Sequence, residues 1–186
     1  MTDKATNYSD KELLGLFRNA ETRDYAFNLI VRKYQERLYW HIRKLIISHN
    51  DTDDTLQNTF IKVWTGLDSF REDSSLFTWL YRIATNEALS FLNSKKRRLI
   101  LSLIDVEKQL SNTLENDEYF NGDELQLKLQ KALLTLPEKQ RLVFNMKYFD
   151  DMKYEEMAEI LNTSIGALKA SFHHAVKKIE KYISEH

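Results

Sequence analysis

At 186 residues and 42% apolar side chains, the chain is long enough for one large or two small cored domains. It has no cysteine, which excludes disulfides, thiolate zinc sites and cysteine nucleophiles, and its one proline and four glycines favour an all-helical chain. A net charge of −1 is too small for tight nucleic-acid binding by counterion release alone, so either the chain does not bind DNA or something else holds it there.

No apolar stretch approaches the roughly 18 residues of a membrane span, and the N-terminus, MTDKATNYSDKE, lacks a signal-like apolar core. The chain is therefore read as a soluble, cytoplasmic protein.

Ser9-Asp10-Lys11-Glu12 is a capping-box pattern ahead of Leu13, Leu14, Leu16 and Phe17, and predicts a first short helix. A long helix is expected over residues 25–48, with Phe27, Ile30, Tyr34, Leu38, Ile42, Leu45 and Ile46 inward. The acids Asp51, Asp53 and Asp54 read as an N-cap cluster for a helix over residues 55–67 that buries Leu56, Phe60, Val63 and Trp64. A polar loop, FREDSS at residues 70–75, precedes a helix over residues 76–98. In that helix Leu80, Ile83, Ala84, Ala88 and Phe91 are expected inward, and Thr78, Arg82, Thr85, Asn86 and Asn93 outward. It ends in the basic run Lys95-Lys96-Arg97-Arg98.

Composition then changes. Residues 99–104 are mostly apolar, whereas residues 105–124 hold seven acids against the single Lys108, and residues 99–123 read as an acidic linker. A second domain follows, with helices over residues 124–136 and 137–148 and Pro137 in the first turn of the latter.

Residues 152–183 carry the most distinctive pattern. Met157, Ala158, Ile160 and Leu161 share one face of a short helix, and Asn162-Thr163-Ser164 supplies a polar turn with capping side chains. Ile165, Leu168, Phe172, Ala175 and Ile179 then recur at steps of three and four. The opposite face holds Gly166, Lys169, Ala170, His173, His174 and Lys177, small or hydrogen-bonding groups with positive charges. A short helix, a polar turn and a helix with a small, basic outer face fit a DNA-binding helix-turn-helix, and fit an ordinary helical hairpin about equally well.

Catalytic readings find little support. The acids at 51–54 have no histidine at ligand spacing, His41 and His49 stand isolated, and no glycine-rich phosphate loop exists, so no metal, cofactor or enzymatic activity is expected. Phe70, Phe77, Trp79 and Tyr81, near Arg82 and the basic run, suit either core packing or stacking on unpaired bases.

Residues 53–64 (DDTLQNTFIKVW) and 70–98 (FREDSSLFTWLYRIATNEALSFLNSKKRR) resemble region 2 of sigma-70 family initiation factors of the extracytoplasmic function subfamily. Residues 129–183 resemble region 4, including its Leu-Pro-x-x-x-Arg element at Leu136, Pro137 and Arg141.

The resemblance implies two small helical domains, region 2 over residues 9–98 and region 4 over residues 124–186, joined by the linker. It implies a factor that binds core RNA polymerase and directs it to promoters. Asp54, Gln57 and Asn58 would meet the β′ clamp helices. Phe70, Arg71, Ser74, Ser75, Trp79, Arg82, Asn86, Lys95, Arg97 and Arg98 would serve the minus 10 element. Thr163, Ser164, Lys169, Ala170, His173, His174 and Lys177 would serve the minus 35 element while region 4 sits on the β flap. A membrane-bound anti-sigma factor is a further partner that the resemblance admits; a small-molecule substrate is not. The sequence departs from the common pattern at Ala167, where threonine is frequent, at Ser171 and His174, where arginines are frequent, and at Ser90 and Asn93, where aspartate and arginine are usual. A stand-alone helix-turn-helix regulator is the alternative, but it would need a sensing pocket or phospho-acceptor in the first half.

Overall fold

The computed structural model describes residues 8–98, 112, 114 and 124–185. Those residues form eight α-helices, one short 3-10 turn and no strand. The helices are α1 (Asp10–Arg18), α2 (Arg23–Ile46), α3 (His49–Gly66), α4 (Leu76–Arg98), α5 (Glu124–Leu134), α6 (Glu138–Tyr148), α7 (Tyr154–Leu161) and α8 (Ile165–Glu185). The expected linker, residues 99–123, lies outside the described residues except for Asn112 and Leu114.

The capping box forms as its spacing requires. Ser9 Oγ accepts from Glu12 N at 3.3 Å, and Glu12 accepts from Ser9 N at 2.7 Å, so α1 starts at Asp10 and buries Leu13, Leu14 and Phe17. The second helix begins before the expected Tyr25 and stops at Ile46, because Ile47 turns to φ 69°. That conformation is unfavourable for a β-branched side chain, and it coincides with burial of Ile47 against Leu114 and Leu134.

The start of α3 corrects the reading of residues 51–54. Ser48 is the N-cap, its Oγ accepting from Asp51 N at 3.4 Å, and the acids lie inside the first turns of the helix. The buried stripe is also rotated from the expected one. Thr52, Thr55, Thr59 and Val63 face the core, while Leu56, Phe60 and Trp64 are only half-buried. Three threonine hydroxyls enter the interior because each donates to the carbonyl four residues back, at 2.7, 2.7 and 2.8 Å. The large rings pack at the rim instead, with Phe27 and Trp64 edge to face at 4.9 Å.

A similar correction applies to α4, where Thr78 and Thr85 are buried rather than outward. Thr85 donates to Tyr81 O at 2.8 Å, and Thr78 pairs with Ser75 at 2.8 Å, so neither hydroxyl needs water.

Helices α1–α4 form one bundle and α5–α8 a second, the latter with its own core of Ala132, Leu133, Leu136, Phe144, Ala175 and Ile179. The two bundles touch, α2 against α6 and α4 against α7. Leu142, Val143 and Met146 of α6 and Met157 and Ile160 of α7 join the apolar cluster that holds Leu76, Leu80 and Ala84 of α4.

Candidate nucleic-acid interface

Asp54, Gln57 and Asn58 all lie exposed along the outer side of α3. Because the core stripe is rotated, the side chains expected to be buried open sideways next to them. Phe27, Val31, Leu56, Phe60, Ile61 and Trp64 line a groove of about 540 Å³ with Gln35 and Gln57 on its edge. Ile61 is 62% exposed, a large aliphatic group in water beside polar neighbours. Sequence periodicity passed over it because it belongs to neither the apolar stripe nor a charged motif.

The second site lies between the 70–75 loop and the start of α4. Phe70, Arg71, Ser74, Trp79 and Arg82 line a cleft of about 490 Å³ together with Ser69, Asp73 and Glu159. Its members have different duties. Phe70 is only 7% exposed and packs on Trp79 with ring centroids 5.1 Å apart, so it is a floor rather than an open stacking platform. Glu72 adopts φ 60° at the loop tip and is tied to Arg18 at 2.6 Å. Ser75 Oγ accepts from Thr78 N at 3.0 Å and caps α4. Trp79 lies against Gly66, where an added Cβ would stand 3.3 Å from its ring.

Arg82 and Asn86, one turn apart, present exposed side chains along α4. Farther on, Arg97 is exposed, but Lys95 is paired with Asp51 at 3.0 Å. The Arg98 side chain lies outside the described residues. The structure thus gathers five of the expected minus 10 residues in one cleft and leaves Ser75, Asn86, Lys95 and Arg97 outside it.

The third site is the helix-turn-helix. Asn162 ends α7 in the left-handed region at φ 48°, ψ 52°, a conformation asparagine tolerates. Thr163 Oγ1 donates to Leu161 O at 3.0 Å, and Ser164 Oγ accepts from Ala167 N at 3.3 Å, so both turn side chains serve the turn as well as facing solvent. Leu168, Ala175 and Ile179 are buried, whereas Lys169, Ala170, His173, His174 and Lys177 are exposed on the opposite face. Lys169 Nζ lies 5.6 Å from the Tyr154 ring centre, which steers one cation toward the start of α7.

His41 is not isolated. It is fully buried between α2 and α4, with Nε2 2.9 Å from Thr85 Oγ1 and Nδ1 3.8 Å from Asp150 Oδ2. Burial, helped by the Lys44 charge and opposed by Asp150, pushes its pKa down to about 4. Tyr81, buried beside it and hydrogen-bonded to Asp150, is held well above the usual phenol range, mainly by burial. These partners are 44 and 109 positions from His41, beyond the reach of any local pattern.

Among the described residues no group of three or more His, Asp or Glu side chains could hold a metal ion, and no helix is long and apolar enough to cross a membrane.

Residues 30–98 match the family model for sigma-70 region 2, and residues 126–179 match that for sigma-70 region 4. The chain is 32% identical to the ECF RNA polymerase sigma-E factor of Escherichia coli K12, over 85% of this chain and 86% of that protein. It is 29% identical to the RNA polymerase sigma-H factor of Pseudomonas aeruginosa, over 95% and 94%. The fold is shared with the sigma factor RpoE of Bartonella quintana, solved with the anti-sigma factor NepR, at TM-score 0.65 and 22% identity over 85% of this chain and 96% of that one. It is shared as well with CnrH, solved with the cytosolic domain of CnrY, at TM-score 0.68 and 22% identity over 95% and 97%. The chain belongs to the extracytoplasmic function sigma factors of the sigma-70 family.

Proposed function

We propose that this protein is a dissociable initiation factor, acting in the cytoplasm and without catalysis of its own, that binds core RNA polymerase and selects promoters. The observation that supports it best is the exposed face of α8. Small and positively charged groups, from Lys169 to Lys177, stand opposite an inner stripe whose Leu168, Ala175 and Ile179 are buried, which suits insertion into a major groove. In this reading α8 contacts the minus 35 element. The cleft of Phe70, Arg71, Ser74, Trp79 and Arg82 receives a base from the melted minus 10 element, over the Trp79 face. Asp54, Gln57 and Asn58, with the apolar groove beside them, dock on the β′ clamp helices.

The weak net charge then has a reason. Tethering to polymerase raises the effective concentration of both units at DNA, so neither needs high affinity alone. An anti-sigma factor is a natural regulator of such a chain. The test is run-off transcription with core polymerase on genomic fragments. Discrete start sites that appear only with this protein support the reading; unchanged transcription with and without it overturns the reading.

A further inference from the structure

Helix α1 precedes residues 30–98, the stretch that matches sigma-70 region 2, and it lines neither the cleft at Phe70 and Trp79 nor the groove at Ile61. It does reach the loop that walls the cleft. Arg18, in the last turn of α1, donates from Nη2 to Glu72 Oε1 at 2.6 Å, joining positions 54 apart in sequence. Five residues later Arg23 pairs with Asp68, in the 3-10 turn Leu67–Ser69 that leads into the same loop.

The far end of this connection is firmly held. Leu13 and Phe17 of α1 are 0% and 1% exposed, and Lys33 Nζ donates to Asp10 Oδ1 and to Tyr8 O, both at 2.8 Å. Thr22 Oγ1 donates to Leu16 O at 2.7 Å, which fixes the turn from α1 to α2, and the Arg23 guanidinium lies 4.2 Å from the centre of the Phe17 ring.

The near end is strained. Glu72 holds φ 60°, a left-handed conformation that crowds the Cβ of an L residue and suits glycine. Its two neighbours in sequence, Arg71 and Asp73, both line the cleft. Returning Glu72 to negative φ would therefore turn both of those side chains to new directions. Arg18 and Glu72 are 59% and 42% exposed, so their pair adds little to global stability. A choice between two conformations of one loop, however, is decided by energies of that size, and a strained residue persists where its surroundings hold it.

We infer that Arg18 is a positioning residue for promoter melting: its ion pair with Glu72 holds the 70–75 loop in the left-handed turn that aims Arg71 and Asp73 into the cleft. This rests on the reading of that cleft as the minus 10 site. Arg18 acts through Glu72 and does not touch the DNA strand.

The test is a double-mutant cycle in the full chain, with open-complex formation by reconstituted holoenzyme read by permanganate on a promoter found by run-off transcription. Arg18→Ala and Glu72→Ala should each reduce it roughly threefold, the effect of one exposed ion pair, and the double variant should lose no more than either alone. Glu72→Gly reaches φ 60° without a partner, so it should stay within about twofold of wild type and be indifferent to Arg18→Ala. Rescue by glycine is the signature of positioning. If Arg18 instead contacts a phosphate, glycine gives no rescue, and the salt dependence of binding to a fork with a single-stranded minus 10 segment falls by about 0.7 in slope for Arg18→Ala. That outcome overturns the inference, as does melting at wild-type strength by Arg18→Ala, or poor melting by Glu72→Gly with or without Arg18. Backbone couplings and chemical shifts of Glu72 in the free chain give a readout independent of transcription. They should report positive φ in wild type and its loss in Arg18→Ala, and positive φ retained in Arg18→Ala overturns the inference. A loop that depends on Arg18 in a protein giving no polymerase-dependent start sites overturns the initiation reading and leaves the strut in place.

Discussion

His41 donates from Nε2 to Thr85 Oγ1 at 2.9 Å, and the Thr85 hydroxyl donates in turn to Tyr81 O at 2.8 Å. That second bond leaves the threonine oxygen as acceptor toward the ring. His41 is therefore neutral with its proton on Nε2, and the bare Nδ1 faces Asp150 at 3.8 Å.

A pH dependence follows from this arrangement. The groups facing His41 are Lys44 on its own helix, Tyr81 and Thr85 on α4, and Asp150 from the turn, with Arg37 acting on Tyr81. The folded pKa of about 4 lies below the unfolded value near 6.5, so the unfolded chain binds a proton that the folded chain refuses. The stabilisation is whole above about pH 6.5 and declines as pH falls toward 4, by about 2 kcal/mol at pH 5. Urea midpoints at pH 7.5 and pH 5 should differ accordingly, and His41→Gln should flatten most of the difference. An equal drop in wild type and variant would assign the effect to other groups.

Thr85→Val keeps the volume but removes the acceptor, leaving the buried Nε2–H unpaired. The expected loss is about 1 to 3 kcal/mol in a urea titration, with Thr85→Ser close to wild type. Val matching Ser would mean that the hydrogen bond contributes nothing.

On α3, Asp54→Lys with Gln57→Lys should abolish competition for core polymerase by charge reversal. Ile61→Arg should weaken it by about 2 kcal/mol, roughly thirtyfold, as expected for a central apolar anchor. All three positions are exposed, so thermal stability should stay within about 0.5 kcal/mol of wild type. Folded variants that compete at full strength would place the polymerase surface elsewhere.

In the minus 10 cleft, buried and open residues should separate cleanly. Phe70→Ala should cost about 3 kcal/mol of stability, because the ring is packed on Trp79. Arg71→Ala should leave stability intact and reduce open-complex formation, read by permanganate reactivity, more than closed-complex binding. Equal loss of both complexes would make the loop a connector only.

The helix-turn-helix was legible in the sequence because everything that specifies it is local: apolar spacing, a capping serine and an asparagine able to take positive φ at the turn. So was the capping box of α1. The rotation of α3 was not, since a period of 3.6 assigns a stripe to the largest apolar groups and cannot see that Thr52, Thr55 and Thr59 satisfy themselves on the backbone. The exposed groove at Ile61 went with that error. Asp150, Tyr81, Lys44 and His41 were illegible for another reason, because their meeting depends on how two bundles dock. Of the basic run, Lys95 reads as a free cation in sequence and is an ion-pair partner of Asp51 in the fold.

Promoter choice gives the last prediction. His173 and His174 project from α8 away from Leu168, Ala175 and Ile179, both exposed, with ring centres 6.0 Å apart. Arginine, frequent in the family at the place of His174, has the reach to contact phosphate or to pair bidentately with guanine, a contact that discriminates by about 1 to 3 kcal/mol. Imidazole lacks that fork. When neutral it has one donor and one acceptor on a shorter stem, so it selects a different base or rests against the sugar-phosphate chain. His174→Arg should therefore change the preferred minus 35 sequence or strengthen binding to all sequences, and leave the minus 10 preference untouched, because position 174 is absent from the cleft at Phe70 and Trp79. The measurement is selection from randomised minus 35 and minus 10 boxes with reconstituted holoenzyme. A minus 35 motif and an affinity both unchanged would show that this side chain faces solvent in the complex and that another face of α8 reads the groove.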